Sequence, residues 1–161
     1  MKLFALVVLY KPESGEPVIL KGGYDLSSFS FFQRTSVQEF IKFTSKIMAD
    51  KTAAGARQSV KEAEYMCHCF ARDDSLAGIC MADEEYPHRV AHTLISKILD
   101  DFTGQVPRDQ WAAGAEVIKL CCNIKNTFYL VSVDASTVQP LNHLTNVIGT
   151  THSCKSAARE L

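Results

Sequence analysis

Leu3–Tyr10 reads LFALVVLY, a run with no charged residue and no Pro or Gly. Behind Met1 and Lys2, such a run is either the apolar region of a secretory signal or a buried strand. A signal needs a small-residue cleavage site, and here Lys11, Pro12 and Glu13 follow at once. The run is therefore read as a strand, apolar at almost every position and so covered on both faces. Lys11–Glu16 (KPESGE) is turn chemistry, and Val18–Tyr24 reads as a second strand, antiparallel to the first, with Gly22 and Gly23 marking its end or a bulge.

Downstream the period changes. Ser36 with Glu39, or Thr35 with Gln38, makes a capping box that opens a helix. This helix is expected to run to about Ala53, with Gly55 just beyond. Its stripe is Val37, Phe40, Ile41, Thr44, Ile47 and Met48, and Phe43 falls about 100° from the stripe's centre. Arg57–Lys61 (RQSVK) is polar, with Val60 as its one clear anchor, which suits an edge strand. Tyr65–Arg72 and Leu76–Ala82 form a hairpin around Asp73, Asp74 and Ser75. Pro87 opens a second helix carrying Val90, Ala91, Leu94, Ile95, Ile98, Leu99 and Phe102; Gly104 is read as its end, and Arg108–Trp111 as one further turn. Five strands and two long helices give an α+β sandwich, mostly antiparallel, over residues 1–112. Residues 113–161 show no sustained period; only Phe128–Val133 (FYLVSV) reads as a strand, and the rest is expected to be weakly structured.

The whole chain has 161 residues, 47% hydrophobic and 22% charged, enough for one domain with an ordinary core and an appendage. A net charge of −1 gives no footprint for nucleic acid. No run reaches the roughly 20 apolar residues of a membrane span. The six cysteines do not space as a disulfide framework, which points to a reducing, cytosolic setting.

The chemical motifs favour plain readings. Cys67-His68-Cys69 alternates faces in a strand, so its ligands would not converge, and no metal is expected. His88 and His92 are four apart on a helix, but HRVAH lacks the glutamate of a zinc protease helix and is read as a solvated edge. No phosphate loop is present, Asp73/Asp74 and Glu84/Glu85 sit in turns, and no catalytic residue or cofactor is expected. The most distinctive stretch is Ser28–Arg34 (SFSFFQR), with three phenylalanines in seven residues. Phe29 and Phe32 are candidates to staple the loop under the first helix, while Phe31 and Phe43 are better placed for a surface groove.

Three stretches carry a resemblance: SSFSFFQRTSVQEF (Ser27–Phe40), RDDSLAGICMADEEYPHRVA (Arg72–Ala91) and LFALVVLYK (Leu3–Lys11). Over Met1 to about Gly114 the sequence closely resembles the longin domain of the lipid-anchored (prenylated) R-SNAREs, synaptobrevin homologues of secretory and vacuolar trafficking. The resemblance implies a profilin-like longin fold, a five-stranded antiparallel sheet sandwiched by helices. It implies a regulatory and targeting module and not an enzyme, acting in the cytosol and peripherally on Golgi, ER and vesicle membranes. Its groove, between the first helix and the polar third strand, would take a SNARE coiled-coil segment or a fatty-acyl or prenyl chain. Phe31, Phe40, Phe43, Ile47 and Val60 are the expected lining. After Gly114 the tail departs: its only arginine is Arg159, and Cys121-Cys122 is internal. No SNARE motif or prenylation box is found, so the chain is expected to be a truncated or alternative form that does not drive fusion. The alternatives are a longin-like adaptor or tethering-complex subunit, or thioester chemistry at Cys121-Cys122.

Overall fold

A computed structural model of the chain describes residues 2–112. The tail, with Cys121-Cys122, Phe128–Val133 and Arg159, lies outside the described residues. In chain order the elements are β1 (Leu3–Tyr10), β2 (Val18–Tyr24), α1 (Phe31–Lys51), β3 (Arg57–Glu62), β4 (Tyr65–Ala71), β5 (Leu76–Asp83) and α2 (His88–Gln105), then a single 3-10 turn over Arg108–Gln110. The strands form one sheet in the order β2-β1-β5-β4-β3, with every pairing antiparallel. This is an α+β longin fold.

β1 and β5 lie at the centre and are buried on both faces. Alternation sends Leu6, Val8, Cys80 and Ala82 into the core under α2, with Leu20, Ile95, Leu99, Phe102 and Trp111. Ala5, Val7, Leu9, Ile79 and Met81 go to the other core, with Ile41 and Met48 of α1 and with Cys67 and Cys69 of β4. The opening run is thus a two-sided central strand. α2 buries the stripe expected of it: Ala91, Leu94, Ile95, Ile98, Leu99 and Phe102.

Both helices depart from the sequence reading at their ends. α1 starts at Phe31, about one turn earlier than the Ser36 or Thr35 box implied. Ser30 is its N-cap, and the Ser30 N–H donates to Gln33 Oε1 at 3.3 Å. The physical reason is competition between nearby polar residues able to cap: the box nearest the turn wins because Phe29 just before it is anchored by the Phe4 and Tyr65 rings. At the other end Thr52 closes the helix, its hydroxyl donating to the Met48 carbonyl at 2.6 Å. Lys11 Nζ donates to the carbonyls of Asp50 and Thr52, each at 2.8 Å, so a cation satisfies the negative end of α1. Gly104 does not end α2, which runs on to Gln105. Packing by Phe102 and Val106 in the α2 core holds that last turn despite the glycine.

Gly78 on β5 is the point of closest approach. A Cβ there would lie 2.5 Å from Ile95 Cγ2 and 3.3 Å from Leu99 Cγ. Gly78→Ala is expected to push α2 off the sheet and to destabilise the domain by about 1–3 kcal/mol. Urea unfolding measures this, and an unchanged midpoint would show that α2 does not need the glycine.

Candidate functional site: the trough between α1 and β3

The apolar stripe of α1 does not coincide with the face it buries. Ile41, Ser45, Met48 and Ala49 are the buried residues. At 100° per residue, this face is rotated by about 80° from the centre of the stripe of Val37, Phe40, Ile41, Thr44, Ile47 and Met48. Two small residues, Ser45 and Ala49, point at the sheet, and larger ones are left to the side. Phe40 remains half-buried. Ile47 is 36% exposed and Phe43 67% exposed.

The flank left open faces β3. In the antiparallel register Gln58, Val60 and Glu62 stand opposite Cys69, Cys67 and Tyr65. Cys67 and Cys69 belong to the core under α1, so those three β3 side chains share the α1 side of the sheet. One contact ties β3 itself to the end of α1, and a second ties α1 to the neighbouring strand β4 at Tyr65. Thr52 Oγ1 meets the Gln58 side chain at 3.2 Å at one end. The Phe40 and Tyr65 rings lie 6.3 Å apart at the other. Phe40 and Val60 both pack, half-buried, against the core that holds Cys67, and the strip between α1 and β3 is the candidate trough.

Of the five expected lining residues, Phe40 and Val60 pack against the same core, while Ile47 and Phe43 project progressively further from the sheet, Phe43 facing almost directly away from it. Phe31 does not join them. Nine residues before Phe40, it projects about 180° around the helix axis, from the opposite flank. It is 78% exposed, and its ring meets that of Phe32 at 5.8 Å, edge to face. Of the two proposed staples only Phe29 serves: its ring lies 5.7 Å from Phe4 and 6.4 Å from Tyr65. Phe32 is 89% exposed, because the first turn of α1 extends past the covered part of the sheet. The aromatic stretch thus divides between an inward ring packed on Phe4 and Tyr65 and an outward pair at the helix tip.

The regulated-SNARE-like longin domain model matches residues 26–119. The chain belongs to the longin family. It is similar to the synaptobrevin homolog ykt6 of Schizosaccharomyces pombe, 45% identical over 116 residues, which cover 71% of this chain and 58% of that protein. The synaptobrevin homolog YKT6 of Saccharomyces cerevisiae is 44% identical over 88 residues, covering 55% and 44%. That of Yarrowia lipolytica is 38% identical over 116 residues, covering 72% and 58%. The chain spans about half the length of these curated relatives.

The thiols next to the candidate trough are held protonated. Burial, aided by the Glu62 carboxylate, pushes the Cys67 thiol up to about 11. Burial also raises Cys69, against a hydrogen bond from Thr52 and the charge of Lys11. Thiols held protonated are poor nucleophiles. Among the described residues no group of three or more His, Cys, Asp or Glu side chains is placed to hold a metal ion. Arg72 holds the β4–β5 turn through Asp74 at 2.6 Å and Asp100 at 3.0 Å.

Phe43→Glu is expected to leave folding intact, with a stability change within about 0.5 kcal/mol, since the ring is mostly in solvent. Ile41→Ala, two residues away on the buried face, is expected to cost about 2–5 kcal/mol. Denaturant unfolding of the pair tests the rotation of α1: equal losses would refute it.

Proposed function

We propose that this longin domain is the regulatory and targeting module of an R-SNARE-type protein of vesicle trafficking and membrane fusion. Its trough between α1 and β3 receives an apolar guest, either a SNARE coiled-coil segment or a fatty-acyl or prenyl chain. The observation that carries the reading is the rotated seat of α1, which leaves Phe43 and Ile47 in water on the helix that shares its core with Val60. An amphipathic helix or an alkyl chain laid there buries all three, and burying one Phe is worth roughly 1.5–3 kcal/mol. The family membership and the similarity to synaptobrevin homologs support SNARE proteins as partners. Among the described residues no helix is long and apolar enough to cross a membrane. Peripheral attachment to Golgi, ER and vesicle membranes through partners or a bound chain agrees with that. The guest enters by burial and needs no covalent step, so the module acts as a binder and not as an enzyme.

Titrating the chain with a fatty-acyl detergent, and separately with a SNARE segment, while following backbone amide shifts along Thr35–Lys61 tests this reading. Wild-type protein is expected to shift in that segment for at least one guest. Phe43→Glu is expected to weaken that guest about tenfold or more, because a charge then faces the apolar lip and about 1.4 kcal/mol corresponds to each factor of ten. Unchanged affinity, or shifts confined elsewhere, would remove the trough as the site. Stable hetero-oligomerisation that ignores Phe43 would instead favour an adaptor or tethering role.

A further inference from the structure

The opposite face of β3 carries a feature that the trough does not use. Arg57, Ser59 and Lys61 stand opposite Phe70, His68 and Met66 and point to the α2 side. Ser59 Oγ lies 2.8 Å from His68 Nδ1 and 3.0 Å from His92 Nε2. A hydroxyl carries one proton and two lone pairs, so Ser59 bridges both rings, donating to at most one of them. The three residues form a chain from β4 through β3 to α2. His68 is fully buried, and its Nε2 meets no hydrogen-bond partner, as does His92 Nδ1. The His68 ring lies 4.9 Å from that of His88 and 5.4 Å from that of His92, both near-perpendicular.

We propose that the Ser59–His68–His92 chain is a proton-sensitive latch that fastens edge strand β3 to α2 when neutral and releases it in mildly acidic solution. Proton uptake by the chain puts a buried charge on a ring without a counter-ion, which disfavours the closed arrangement. The surroundings sharpen this effect. From β3 come Arg57 and the Lys61 ammonium, the latter paired at 2.8 Å with Glu84 in the turn before α2. β5 contributes the Cys80 thiol, paired across the ladder with His68, and α2 contributes His88 beside His92. Tyr86 and Asp83 sit at the β5–α2 turn. Burial first, then the charges of His88 and His92, pull His68 down to about 4. Burial, then Arg57 and His88, lower His92 as well.

The linkage has a definite sign. A closed latch binds protons less well than an open one, so its advantage is full above the ordinary imidazole range and is lost as pH falls below it. For His68 alone, with 6.5 in the open form and about 4 in the closed form, going from about pH 7.4 to about pH 5.5 raises the open fraction about tenfold. β3 is also the strand wall of the trough, so release loosens that wall. This consequence for guest entry rests on the trough reading. The latch itself is read on the free protein, so a trough that binds nothing leaves it standing.

Amide hydrogen exchange on the full chain, corrected for intrinsic rates, tests the latch. Protection of the β3–β4 ladder and the first turns of α2 is expected to fall about tenfold between about pH 7.4 and 5.5, with β1 and β5 changing less. His68→Phe is expected to flatten that dependence. Ser59→Ala is expected to lower β3 protection already at neutral pH while the fold persists. Equal protection at both pH values in wild type, or the same pH slope in His68→Phe, overturns the latch. Should His68→Phe not fold, nitrogen-15 shifts of the wild-type imidazoles decide: His68 is expected to stay neutral in the closed form at about pH 5.5. Protonation there with β3 still protected refutes the proposal.

Discussion

Burial of β1 and β5 on both faces is the constraint from which the remaining architecture follows. Adjacent strands at the centre of a five-stranded sheet carry apolar side chains up and down, so the sheet needs a cover on each side. Covering one side takes α2, whose approach depends on the missing side chain of Gly78. Covering the other takes α1, which presents Ser45 and Ala49 in its C-terminal half. The two helices are therefore not equivalent. α2 sits with its full apolar stripe on the sheet, whereas α1 sits with its stripe turned to one side, and this turn leaves apolar side chains beside an edge strand.

β3 then has two unlike faces. Towards α2 each side chain is engaged: Arg57 lies over the Phe70 ring at 4.6 Å and meets Ser96 at 3.3 Å, Ser59 bridges two histidines, and Lys61 pairs with Glu84. Towards α1 only Gln58 is tied directly to the end of the helix, while Val60 stands between an open lip and the core. An edge strand held firmly from behind and loosely in front agrees with the proposed binding trough. Charged residues along it, Arg57, Lys61 and Glu62, also discourage edge-to-edge pairing.

Much of this was legible in the residues. The two-sided character of Leu3–Tyr10, the hairpin around Asp73–Ser75, the stripe of α2 and the polar edge at Arg57–Lys61 each follow from local periodicity and turn chemistry, which are short-range properties. The start of α1 was not, because Ser30, Thr35 and Ser36 all carry capping hydroxyls and only the seating of Phe29 among Phe4 and Tyr65 selects the first. Nor was the fate of Phe31 and Phe32, since three neighbouring phenylalanines look alike until the end of the sheet decides which one has a floor beneath it. The histidine cluster also escaped sequence reading. His88 and His92 were visible as a helical pair, and His68 as the odd member of a Cys-His-Cys strand, but the missing partner was Ser59, on another strand, a residue type with no distinctive spacing.

The sequence by itself therefore determined the order of the elements, their antiparallel sandwich and the family to which the domain belongs, since these rest on patterns within single segments. Only the tertiary structure decided how far α1 rolls on the sheet, which aromatic rings reach solvent and which side chains from three elements meet behind β3. The physical reason is that helix rotation and cross-element contacts are set by shape matching between surfaces distant in the chain: Ser45 and Ala49 let the helix approach along a line that its hydrophobic pattern alone does not choose.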